Sequence, residues 1–119
     1  MNTQHDSHYS SSMINTLPQA TTLQELLKLL RRHPGLMGSR VSVSHLSAFL
    51  EGFLYCQQES RYTEDWEHIS SFSRWIHAKF KSETTLGWPI LIESRTDSEQ
   101  AALVLFWSLY DEFLATRSA

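Results

Sequence analysis

One cysteine in 119 residues, Cys56, leaves no partner for an internal disulfide and fits a reducing compartment. It falls late in an apolar helical stretch, where it is expected to pack as a small hydrophobe. Long apolar runs are missing as well. The longest, Ala101 to Trp107, is far too short to span a bilayer. Met1 to Ser12 is polar and lacks the apolar core of a secretory signal, so the chain is expected to stay in the cytoplasm. Positive charge is in short supply: 10 Lys and Arg stand against 13 Asp and Glu, a net −3 that weighs against nucleic-acid binding.

Patterns that carry chemistry are also missing. A metal site needs ligands converging at short helical or loop spacings. His68 and His77 lie more than two turns apart on one predicted helix, and His33 and His45 fall in different elements. His5 and His8 have no Cys or further His beside them, so no metal or cofactor is expected. No serine sits in a nucleophile elbow and no glycine-rich phosphate loop follows a strand, so no enzymatic activity is expected either. A small enzyme whose site assembles from unremarkable residues is the weakest of three functional readings.

What the chain does have is aromatic bulk: four Trp, six Phe and four Tyr within a 41% hydrophobic composition. That is enough for one core, and aromatics left outside it commonly anchor interfaces. Residues 1–20, rich in Ser, Thr, Asn and Gln, read as a disordered lead, and 21–119 as a single helical domain.

The first helix is predicted from Thr22 to Arg32, with Thr22 and Glu25 at capping-box spacing and Leu23, Leu26, Leu27 and Leu30 on one face. Pro34 stops it, and Gly35 or Gly38 is expected to take a positive φ in the turn. A second helix should run from Ser44 to Gln58 on a stripe of Leu46, Phe49, Leu50, Phe53 and Leu54. Gly52 inside it suggests close approach by another helix or a bulky Trp. The third is predicted from Thr63 to Lys81, with Trp66, Ile69, Phe72, Ile76 and Phe80 on one face and Trp75 on its flank.

Ser82 to Arg95 reads as a connection, in which Gly87–Ile92 lies extended, or as one short strand, with Trp88 plugging the core. The last helix is expected to open on a second capping box, Thr96 and Glu99, and to reach Thr116. Its apolar residues cover more than half its circumference, which places it at the centre. The expected fold is all-α: a compact bundle of four main helices around an apolar C-terminal helix.

Charge is uneven along this bundle. Lys28, Arg31, Arg32 and Arg40 make the first half locally basic, and Glu59, Glu64, Asp65 and Glu67 form an acidic stretch diluted by Arg61. Basic residues in a helix's last turns, and acidic ones at its start, complement the dipole. The candidate partner-binding residues are Glu64, Asp65, Glu67 and Trp75: carboxylates to attract a basic surface and an indole to hold it. The competing reading gives the acids to helix stabilisation and Trp75 to the edge of the core.

The order of features resembles a group of small bacterial proteins encoded beside polymorphic toxins. Pro34, Gly35 and Gly38 match its Pro-Gly-x-x-Gly turn, and Leu46, Phe49 and Gly52 match its Leu-x-x-Phe-x-x-Gly helix. Trp66 and Trp75 stand in the Trp-rich middle, Gly87 and Trp88 in the Gly-Trp segment, and Leu109 or Tyr110 with Phe113 near the end, covering residues 22–115. The chain departs from the pattern at Leu36 and Met37, where Met and an aromatic are usual, and at His33, where Arg is usual. Many members of that group are immunity proteins, so the resemblance implies an inhibitor of a cognate toxin. The alternative from a different class is a helical adaptor or regulatory subunit of a cytoplasmic complex. Neither reading involves a nucleic acid or a membrane.

Overall fold

Helix formation starts at Thr22, where the expected capping box is present. The Glu25 amide donates to Thr22 Oγ1 at 3.1 Å, and the Thr22 amide donates to Glu25 Oε1 at 3.0 Å. The computed structural model describes residues 22–38, 41–57 and 59–118; the expected lead, residues 1–20, and Arg40 lie outside them. Helix α1 spans Leu23–Arg32 and buries Leu23, Leu26, Leu27 and Leu30, each contributing about 1.5–3 kcal/mol by removal from water. A 3-10 turn, Pro34–Met37, follows, and Gly38 leaves it at φ 108°, ψ −171°, a region open essentially to glycine. Of the two glycines expected to supply a positive φ, it is Gly38 that does so.

Helix α2 spans Val43–Tyr55, capped by Ser42, whose Oγ accepts from the His45 amide at 3.1 Å. Its buried side is Val43, Leu46, Leu50 and Leu54, with Phe49 and Phe53 partly buried against the same core. Two expectations fail on its other side. Nothing lies within 4 Å of a Cβ built on Gly52, so no helix or indole among the described residues approaches it there. Cys56 is exposed rather than packed. The reason is shared: Phe49, Gly52, Phe53 and Cys56 repeat at helical spacing along a depression that no other helix among the described residues closes over.

Helix α3, Glu59–Lys79, begins four residues earlier than the pattern suggests. It ends in a Schellman arrangement, with the Ser82 amide donating to His77 O at 2.9 Å and the Lys81 amide to Ala78 O at 3.2 Å. Lys81 takes the left-handed position, φ 52°, usually given to glycine.

The segment expected to be extended is instead helix α4, Trp88–Glu93. Short apolar runs do not distinguish strand from helix by periodicity. Here Pro89 sits in the first turn, where its missing N–H is harmless, and the Leu91 amide closes that turn on Gly87 O at 3.2 Å. Trp88, Leu91 and Ile92 then share the buried side, and Trp88 enters the core as expected.

Helix α5, Glu99–Ser118, is capped two residues later than expected: Ser98 Oγ, not Thr96, accepts from the Ala101 amide at 3.0 Å. Its buried residues are Ala102, Phe106, Leu109, Tyr110 and Phe113, while Val104 is 70% exposed. The fold is all-α, with four longer helices, α1, α2, α3 and α5, and the six-residue α4 lodged against α2, α3 and α5. No strand occurs among the described residues.

Phe72 of α3 is the hub of the core. It has no exposed surface, and the rings of Trp88, Phe106, Tyr110 and Phe113 lie 5.3–5.7 Å from its centroid. At the surface, Arg31 joins α1 to α5 through two 2.7 Å bonds to the Asp111 carboxylate and lies 5.0 Å from the Trp107 ring.

Candidate partner interface

The longer α3 shifts Glu64, Asp65 and Glu67 into its second and third turns, beyond the reach of the dipole at the N-terminus, with Trp75 in its fifth. Glu64 and Glu67 are exposed, and Glu67 pairs with Arg74 Nη2 at 3.1 Å. Asp65 is buried and accepts from Gln57 Nε2 at 2.7 Å, anchoring the end of the α2–α3 connection. Trp75 is half-buried, stacked on Phe72 at 6.3 Å and edge-on to Phe113 at 5.8 Å, with Lys79 Nζ 5.4 Å from its ring. Glu64 and Trp75 share a side of the helix but lie about 16 Å apart along its axis, from a rise of about 1.5 Å per residue. The four residues therefore do not form one cluster.

Inside α3 the pattern-based stripe is rotated. Trp66, expected on the apolar face, is 44% exposed, and the buried positions are Asp65, His68, Phe72 and Ile76. Hydrophobicity ranks indole above carboxylate and imidazole for burial, but both polar groups here are satisfied. His68 Nε2 lies 2.8 Å from Tyr110 Oη, with the ring edge-on to Tyr110 and Phe113. Burial, helped by the charge of Arg117, lowers the His68 pKa from 6.5 to about 4, so the imidazole is neutral near pH 7. Burial likewise raises the Tyr110 phenol above its ordinary range. Sequence reasoning missed this pair. The heptad-like spacing of Asp65, His68, Phe72 and Ile76 was the available signal.

Two neutral, mutually bonded groups inside an aromatic shell hold helices together and offer no nucleophile. Ser42 Oγ does lie 2.6 Å from His45 Nδ1, but that hydroxyl is occupied in capping α2, and no carboxylate among the described residues orients the imidazole. No group of three or more His, Cys, Asp or Glu among the described residues is placed to hold a metal ion. No helix among them is long and apolar enough to cross a membrane.

The surface of α2 is the more distinctive feature. On one side a depression of about 420 Å3 is lined by Leu26, Phe49, Gly52, Phe53 and Cys56. On the other, a cleft of about 270 Å3 opens between α2, α3 and the start of α4, with Leu50, Leu54, Ile69 and Trp88 in its walls. Tyr55, at the end of the same helix, is 78% exposed. Helix α2 is thus an apolar ridge between two hollows. The sequence placed Phe49 and Phe53 within the apolar stripe; that no other helix among the described residues closes over the depression beside them was not legible.

No family model, curated protein or solved structure matches the chain.

Proposed function

We propose that this chain is a protein-binding helical domain of the immunity type, which binds and neutralises a cognate bacterial toxin domain in the cytoplasm. The observation that carries the reading is the α2 ridge, with apolar hollows on both sides and the exposed Tyr55 at its end. Exposed apolar and aromatic groups of this kind supply the buried centre of protein interfaces. Motif resemblance over residues 22–115 supports the toxin as the partner.

Glu64 and Glu67, exposed on α3, serve to attract a basic partner surface, and Trp75 supplies an apolar contact at its far end. Asp65, buried on Gln57, acts by supporting the α2–α3 connection. A helical adaptor is favoured by one separate observation: Val104 on α5 is also exposed, which suits a second contact face.

The test is protection. Cells expressing a toxin domain from a neighbouring gene should regain growth when the chain is co-expressed, and the purified proteins should form a stoichiometric complex. Toxicity undiminished by the chain, with no complex on mixing, would refute the reading.

A further inference from the structure

The two hollows beside α2 differ in one respect: the cleft toward α3 carries a charge. Glu51 is the sole ionisable side chain lining it; the other lining groups are apolar apart from the Ser47 hydroxyl, and Trp66 stands 44% exposed at the edge. The Glu51 carboxylate is exposed and has no ion pair or hydrogen bond among the described residues. No lysine or arginine occurs in α2 to neutralise it, and α3 exposes Glu64 and Glu67. A negative group above an apolar, indole-edged wall is complementary to one kind of protein side chain. That side chain has a long aliphatic stem and a cationic head.

We propose that this cleft receives an arginine side chain of a protein partner, its methylenes against Ile69 and Trp66 and its guanidinium at Glu51. Arginine fits better than lysine, because its planar, weakly hydrated head stacks on an aromatic face and pairs with a carboxylate at once. The volume, about 270 Å3, lies just below the roughly 300–1,000 Å3 of pockets for drug-sized ligands, and so suits a single side chain. The inference deepens the partner-binding reading and rests on it: it names the type of residue that the bound surface must present.

The test uses two short peptides on the full chain, acetyl-Gly-Leu-Arg-Gly-amide and its counterpart with citrulline, which keeps the shape and loses the charge. Proton–nitrogen NMR should show the arginine peptide shifting the Trp66 indole N–H and the Glu51 amide saturably in the millimolar range. The citrulline peptide should bind several-fold more weakly. Glu51→Gln should erase the difference between the peptides, Trp66→Ala should weaken both, and Glu83→Gln should change neither. Equal response to the two peptides, or no saturable shift at the cleft, overturns the proposal. Loss of toxin protection with peptide binding intact would instead count against the immunity reading, so the two failures are distinguishable.

Discussion

His68 and Tyr110 meet at 2.8 Å between α3 and α5, a polar contact enclosed by Phe72 and Phe113. Its consequence is a pH-dependent stability. The folded-state pKa of His68, about 4, lies below the 6.5 of an unfolded chain. As pH falls, the unfolded state therefore takes up the proton first. The contribution is complete above pH 6.5 and is lost as pH drops through 6.5 toward 4, at up to about 1.4 kcal/mol per pH unit. Urea midpoints across this range should fall with acid, and His68→Phe should flatten that fall. The same variant leaves the Tyr110 hydroxyl unpaired, at a cost of about 1–3 kcal/mol near neutrality. An unchanged pH profile in His68→Phe would show that another group governs acid sensitivity.

Removing the hub should be the most damaging core change. Phe72→Ala is expected to cost about 3–5 kcal/mol, the range for emptying an aromatic core position. Tyr55→Ala, on a side chain 78% exposed, should stay within about 0.5 kcal/mol of the parent. Chemical denaturation of both variants checks the contrast.

Backbone positions give changes of opposite sign. Gly38→Val forces a side chain into a region open essentially to glycine, and should cost about 1–3 kcal/mol. Lys81→Gly relieves the left-handed residue after α3, and should raise stability by up to about 1 kcal/mol. Thermal unfolding of the two single variants reads both directions.

These positions also mark what the sequence discloses. The capping box of Thr22 and Glu25, the leucine face of α1, the Pro34 stop and the burial of Trp88 follow from local rules and were legible. The helical state of Trp88–Glu93 was not, because a six-residue apolar run satisfies either period and only its packing between α2, α3 and α5 decides. Burial of Asp65 and His68 depended on partners remote from any pattern, Tyr110 lying 42 residues away from His68. The open side of α2 was hidden for a related reason: Phe49 and Phe53 do pack against the core, and their spacing does not disclose that no other helix among the described residues closes over Gly52 and Cys56 beside them.

Gly52 converts that last point into a measurement. With nothing within 4 Å of a built Cβ, Gly52→Ala should stabilise α2 by about 1 kcal/mol. Destabilisation would mean that the hollow beside Leu26 and Phe53 is filled in solution.

On α3, reversing Glu64 and Glu67 to Lys should slow association with the proposed toxin partner and flatten its salt dependence while leaving the fold intact. Trp75→Ala should speed dissociation and also lower stability, because the ring packs on Phe72 and Phe113. Stopped-flow binding at two salt concentrations separates these effects. Association unaffected by the charge reversal would remove Glu64 and Glu67 from the interface.

The central claim is that α2 presents the binding surface, and hydrogen exchange of the chain alone and in complex with the proposed toxin partner tests it most directly. The account predicts added protection across Leu50–Gln57 and around Trp66 on binding. Protection confined to α5, with exchange in α2 unchanged, would contradict it.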